Sequence, residues 1–191
     1  VLVEARVEPV DAIDERVIGP PLMATLARLT GIGPGTTLDS LAAAFKATYD
    51  TVGALHADPY PGCVEMLDRL MIARRRSYIV TNKRRVPAVA IAQRLGLRSR
   101  LSGVYSLDTL TPPAPRKRDV VAHVLAEHQV PRGTAVMIGD SGDDADAAAA
   151  NGLPFIAVTY GYGNPLGDPA VRPAAVLDRL ADLPDLLVRL D

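Results

Sequence analysis

One stretch constrains the rest of the chain more than any other: Val136 to Gly152, VMIGDSGDDADAAAANG. Val136, Met137 and Ile138 read as a buried strand running directly into Gly139-Asp140-Ser141-Gly142. After that turn, Asp143, Asp144 and Asp146 enter an alanine-rich helix that ends at Asn151-Gly152. A strand passing through an acidic turn into a helix is a unit of an open α/β sheet, where ligands bind beyond the carboxyl ends of the strands. Carboxylates crowded at such a point repel one another unless a cation sits among them. Hard cations such as Mg²⁺ take oxygen ligands and suit the cluster. The same residues have a plainer reading: Asp143 and Asp144 favour the positive end of a helix dipole, and Ser141 or Asp140 caps it. Both readings stand on this stretch alone.

The preceding sequence has two characters. Up to about residue 57 it is helical and strand-free, a longer run than alternating α/β folds use. Val1 to Arg6 has helical character up to Pro9, and Asp11 opens a short helix to Val17. Gly19-Pro20-Pro21 is a turn from which a helix Leu22–Leu29 starts, and Gly31 to Gly35 is a loop. A helix then runs from Thr37 or Asp39 to about Val52, with Leu41, Ala44, Phe45, Thr48 and Tyr49 on one face at helical spacing. This segment reads as a separate helical bundle.

Asp58-Pro59-Tyr60-Pro61-Gly62 marks the boundary, since its prolines disfavour helix. Beyond it, helices and strands alternate. The expected helices are Cys63–Ala73, Val86–Leu95, Arg118–His128 and Pro184–Leu190. The expected strands are Ser77–Val80, a segment of Leu101–Ser106 centred on Val104-Tyr105, Ala135–Ile138 and Phe155–Val158, with a helix or short strand at Ala175-Val176. Such alternation implies a parallel sheet with helices on both faces.

Composition excludes more than it selects. Net charge is −1, and no aromatics interleave with Arg74-Arg75-Arg76 or Arg84-Arg85, so a nucleic-acid partner is not expected and these arginines read as solvated ends of elements. There is no apolar run of about 18 residues and no signal-peptide layout, so neither a membrane span nor export is expected. A single cysteine, Cys63, forbids an internal disulfide and fits a reducing, cytoplasmic setting.

Two further strand ends carry polar groups. Thr81 and Asn82 follow the first strand and offer a hydroxyl and backbone N–H groups where the next helix opens, a geometry that holds a phosphate oxygen. Lys117 opens a later helix and supplies a point charge for phosphate. Taken singly, Thr81-Asn82 is also a helix cap with a turn, and Lys117 a surface lysine. Thr, Lys and an acidic turn at successive strand ends are harder to ascribe to chance.

These residues resemble the haloacid dehalogenase (HAD) superfamily, and within it the phosphoglycolate-phosphatase-like members with a helical cap. Tyr78-Ile79-Val80-Thr81-Asn82-Lys83 is similar to the family's second motif, a strand ending in Thr or Ser. Lys117, in Arg116-Lys117-Arg118-Asp119, is similar to its third; a competing alignment puts that lysine at Pro112, where it is missing. Gly139-Asp140-Ser141-Gly142-Asp143-Asp144 matches the fourth, Gly-Asp-x-x-x-Asp, and Tyr160-Gly161-Tyr162-Gly163 continues the match.

The resemblance implies a HAD-like, Rossmann-like α/β core over residues 58–191 and a small helical cap over 1–57. It also implies a Mg²⁺-dependent phosphatase acting on a small phosphorylated metabolite of the phosphoglycolate type, as a monomer or homodimer. Thr81, Asn82 and Lys117 would hold the phosphoryl group, Lys117 and Thr81 serving catalysis. Asp140, Asp144 and Asp143 would serve the metal, and Gly19, Pro20, Pro21 and Leu22 of the cap would close over the site.

One departure stands out. The family's first motif is a strand ending in Asp-x-Asp-Gly-Thr, which supplies the nucleophile and the general acid/base. No such sequence stands in this chain; Gly35-Thr36-Thr37-Leu38-Asp39, Asp144-Ala145-Asp146 and the pair Asp11 and Asp14 are chance echoes. Two expectations follow. In one, the sequence starts late, inside a helical segment at Val1, and the nucleophile strand lies upstream. In the other, the protein is a non-catalytic relative that binds a phosphate-bearing ligand or acts as a scaffold, with an exposed strand edge where the missing strand would pair.

Overall fold

The computed structural model describes residues 1–51, 53–131 and 133–190, and the chain divides into two compact units, Val1–Ala57 and Asp58–Asp191.

In the first unit, helix α1 (Leu22–Thr30) follows Pro21 and stops at Gly31, whose left-handed φ of 67° turns the chain and lets its N–H reach the Ala27 carbonyl. Helix α2 spans Thr36–Thr51. Leu26, Leu38, Leu41 and Ala42 form the core between them, with Val1, Leu2, Val7 and Leu22 packed at its side. The helix expected over Asp11–Val17 is only a 3₁₀ turn, Glu15–Val17, opened by Asp14. Asp11 caps no helix because its carboxylate accepts the N–H of neighbouring Ala12 and pairs with Arg16 and Arg28. Val1 to Arg6 forms turns in place of the expected helical run. Val52, the expected end of the second helix, lies outside the described residues.

The second unit alternates as its sequence predicts. In chain order it comprises α3 (Cys63–Ile72), β1 (Tyr78–Thr81), α4 (Arg85–Arg94), β2 (Gly103–Ser106), α5 (Lys117–Glu127), β3 (Met137–Gly139), α6 (Gly142–Ala150), β4 (Phe155–Val158), β5 (Ala175–Leu177) and α7 (Leu183–Leu190). The ambiguous segment at Ala175 is a strand, because Ala174 N–H bonds to the Phe155 carbonyl and draws it onto β4.

Side-chain alternation along each strand separates two helical layers. Ile79, Val104, Ile138, Ile156 and Val158 point to one face, against Met66, Leu67 and Leu70 of α3, Ala88 and Ala92 of α4, and Leu183 and Leu187 of α7. On the opposite face Val80 and Tyr105 meet Val120 and Val124 of α5, while Met137, Phe155 and Ala157 meet Ala145 and Ala148 of α6. A period of two is what a pleated strand imposes.

All strand pairs are parallel, but they fall into two sheets, β1-β2 and β3-β4-β5. No backbone hydrogen bond among the described residues joins β1 to β3. The consequence is visible in burial: β2 and β4 are buried throughout, whereas every residue of β1 and β3 is only half-buried.

Candidate functional site

The carboxyl ends of β1 and β3 share one edge. Asn82, the residue after β1, donates its Nδ2 to Asp143 Oδ2 at 2.7 Å across 61 positions of sequence. Asp143 lies in the first turn of α6, directly after β3. The two sheets therefore end their strands at the same place, with the acidic turn on one side and Thr81-Asn82 on the other.

Lys117 enters this edge from the first position of α5. Its Nζ donates to Asp144 Oδ1 at 2.7 Å and stands 3.9 Å from Asp143 Oδ2. Lys117 is 8% exposed and Asp144 6%, so the pair is shielded from solvent. A buried lysine next to a carboxylate is expensive to desolvate and persists only with its partner in place.

Asp144 is held from a second direction. Its Oδ2 accepts Ser141 Oγ at 2.6 Å and Ser141 N–H at 3.2 Å, and Ser141 Oγ accepts the Asp144 N–H in return. This reciprocal cap starts α6. Gly139 allows it: a Cβ there would lie 2.3 Å from the Asp144 carboxyl carbon. The plain capping reading and the site reading thus coexist, with Ser141 as the cap.

Asp140 is positioned by the loop that follows β4. Gly163 N–H donates to Asp140 Oδ2 at 2.9 Å. A Cβ on Gly163 would come within 2.1 Å of the Asp140 carbonyl oxygen, so only glycine lets the loop approach so closely. Tyr160 stands by the same loop, edge-on to Tyr60 with ring centroids 4.8 Å apart. Burial, helped by the neighbouring Tyr60, pushes the Tyr160 hydroxyl up to about 12.

The predicted residues are thus distributed as follows. Asn82, Lys117, Asp143 and Asp144 form one connected set. Asp140 is adjacent in sequence and held separately by Gly163. Thr81 ends β1, and its Oγ1 accepts the Lys83 N–H at 3.1 Å. The helix after it begins at Arg85, whose N–H is taken by Asp108 Oδ1 at 2.9 Å, so the first N–H of that helix is already satisfied and does not face a ligand. Gly19, Pro20, Pro21 and Leu22 belong to the first unit, at the entry to α1. Of the two caps expected from sequence, Ser141 or Asp140, the structure shows Ser141; the positioning contacts of Gly163 and Asp108 were not singled out from sequence.

Among the described residues no three His, Cys, Asp or Glu side chains converge as a ready-made metal cage. Mg²⁺ is usually held by one or two carboxylates, with water and phosphate completing the shell. Asp140 fits best: one of its oxygens is oriented by Gly163, while both oxygens of Asp144 are engaged with Lys117 and Ser141.

Comparison with known proteins agrees with this architecture. Residues 8–158 match the family model described as haloacid dehalogenase-like hydrolase. A phosphoglycolate phosphatase of Rhodospirillum rubrum is 32% identical, over 97% of this chain and 80% of its own length. The tyrosine-protein kinase PtkA of Mycobacterium tuberculosis is 28% identical over 87% of this chain, which spans 57% of that relative's length. Among solved structures, a haloacid dehalogenase-like hydrolase of Streptococcus pneumoniae superposes with a TM-score of 0.82 at 23% identity, covering 100% of this chain and 86% of its own. CbbY of Rhodobacter sphaeroides, solved in complex with phosphate, gives a TM-score of 0.76 at 18% identity, with 95% and 84% covered.

Proposed function

The chain belongs to the haloacid dehalogenase-like hydrolase family, and on that premise we propose that it serves a Mg²⁺-dependent phosphatase acting on a small phosphate monoester of the phosphoglycolate type. The observation that carries this reading is the buried Lys117–Asp144 pair at the edge where Asn82 and Asp143 join the two sheets. A buried cation fixed at the carboxyl ends of parallel strands is placed to neutralise a phosphoryl group.

In this reading Thr81 and Asn82 hold phosphoryl oxygens. Lys117, kept in position by Asp144, offsets their charge. Asp140 is the principal carboxylate for Mg²⁺, with Asp143 at its side and Asp144 anchoring Lys117. Bound Mg²⁺ supplies Lewis-acid polarisation of the phosphoryl group. Gly19 to Leu22 of the helical unit serve as the cap that excludes water. The protein works as a monomer or homodimer, and the free thiol of Cys63 suits a reducing cytoplasm. No helix among the described residues is long and apolar enough to cross a membrane.

Attack on phosphorus in this family falls to an aspartate of a strand motif that this sequence does not contain. A second reading is therefore a relative that binds a phosphate-bearing ligand without turnover. It draws only on the described residues, among which no strand lies between β1 and β3. Hydrolysis of a generic phosphate ester with Mg²⁺, measured on this chain and on the longest native reading frame, separates the two. Turnover by either supports the phosphatase; folded protein without turnover in both overturns it in favour of the binding reading.

A further inference from the structure

The Lys117 amine stays in place only if the backbone that carries it is held, and the segment before it offers little hold. Thr111 to Arg116 includes Pro112, Pro113 and Pro115, none of which has an N–H to donate. Ala114 N–H bonds to the Leu107 carbonyl at 2.8 Å and ties this loop to the end of β2. Arg116 N–H turns to Asp119 Oδ2 at 3.1 Å, a contact inside the helix start itself. Val120 and Val124 seat α5 against Val80 and Tyr105. Apolar contact of that kind is non-directional, so it does little to fix the helix along its own axis.

Polar contacts from α6 supply the missing constraint. Lys117 Nζ meets Asp144 Oδ1 at 2.7 Å, Arg118 Nη1 stands 3.6 Å from Asp146 Oδ2, and Asn151 Nδ2 donates to the Arg118 carbonyl at 3.0 Å. The first two end on long, flexible side chains of α5, and the second is a partly exposed pair of little weight. The Asn151 contact differs from both, because it takes hold of the α5 backbone one residue after Lys117. From this we propose that Asn151 is a positioning residue for Lys117. By holding the Arg118 carbonyl, it sets the point from which the lysine amine reaches Asp144 and, on the phosphatase reading, the phosphoryl group.

The chemistry of the side chain fits this task. Asn151 caps the end of α6, and its Nδ2 also donates to the Ala147 carbonyl of its own helix at 2.8 Å. A side-chain amide has two N–H donors, and here each one meets a carbonyl, one on either helix. The bridge is therefore fixed at both ends. Aspartate has the same shape but would turn an acceptor oxygen toward two acceptor carbonyls, at the negative end of the α6 dipole. Alanine would leave the Arg118 carbonyl without this partner. A small displacement of a reacting group, from a change remote from the chemistry, is enough to weaken what it binds.

Trace acetylation of the whole folded chain, read by mass spectrometry, tests the hold on Lys117 without any activity. Lys117 is shielded and paired, so its amine should react far more slowly than that of exposed Lys83. In N151A and N151D the rate at Lys117 should rise about tenfold, the protection given by one hydrogen bond, with Lys83 unchanged. V124A removes buried volume from the middle of α5 and lowers the melting temperature at least as much, yet should leave the Lys117 rate as it is. A rate unchanged in N151A, a rate raised equally in V124A, or a native Lys117 as reactive as Lys83 would each overturn the assignment. The consequence for phosphate rests on the phosphatase reading and is measured separately. Inorganic phosphate, titrated calorimetrically with Mg²⁺ present, should bind about tenfold more weakly to N151A than to the native chain or V124A. Absence of phosphate binding by the native chain would count against that reading, while the acetylation rates alone decide the role of Asn151.

Discussion

Lys117 Nζ lies 2.7 Å from Asp144 Oδ1, and this pair joins the first turn of α5 to the first turn of α6 beneath the surface. Asn151 reinforces the same contact from the far end of α6, donating to the Arg118 carbonyl at 3.0 Å. Removing one partner strands the other in a shielded place. K117M and D144L should therefore each destabilise the fold by about 3 kcal/mol, while the double variant loses clearly less than the sum. Urea denaturation of the four proteins measures this. Strict additivity would show that the two side chains do not interact energetically.

Gly163 should matter through Asp140 and not through bulk stability. In G163A the new methyl meets the Asp140 carbonyl oxygen, so the loop must withdraw and its N–H leaves the carboxylate. Mg²⁺ affinity is expected to fall about tenfold, the usual effect of losing a group that orients a ligand. Calorimetric titration of Mg²⁺ gives the answer, and an unchanged dissociation constant would remove Gly163 from the site.

The divided sheet makes a prediction about backbone exchange. Amides of β1 and β3 that point away from β2 and β4 have no strand partner among the described residues and sit in half-buried backbone. In this chain they should exchange with deuterium much faster than those of β4, which is paired on both sides and buried. Equal protection across β1, β3 and β4 would mean that the edges are covered.

How much of this could be read from the sequence depends on the range of the interaction. Strands and helices of the second unit were legible because apolar runs and alternation are local signals, and Phe155–Val158 was read without error. The acidic turn was legible for the same reason. Lys117 could be preferred over Pro112 only by the match of the residues after it, and the structure places its amine on Asp144. The Asn82–Asp143 bond, the Asp108 contact to Arg85 and the grip of Gly163 on Asp140 connect residues far apart in sequence, and no local spacing announces them. In the first unit, the short helix at Asp11 failed because a capping residue was assumed where its carboxylate binds arginines instead.

Acid should weaken the fold partly through Asp68. The Arg100 guanidinium bonded to it holds its carboxyl below the ordinary value of 3.8. A carboxyl with a lower value in the folded state contributes stability above its unfolded value, and that contribution disappears as pH falls through the folded value. The difference in melting temperature between native protein and D68N should thus be largest near neutrality and shrink below about pH 4. A difference independent of pH would contradict the pairing.

The central claim is that the acidic turn is a metal site and not only a helix start. Its most direct measurement is calorimetric titration of Mg²⁺ into the native chain and into D140N, which keeps the shape of the side chain and removes its charge. Binding by the native chain that weakens at least about tenfold in D140N is the predicted result. Equal Mg²⁺ affinity in both proteins would contradict it and return Asp140 to the role of an ordinary turn residue.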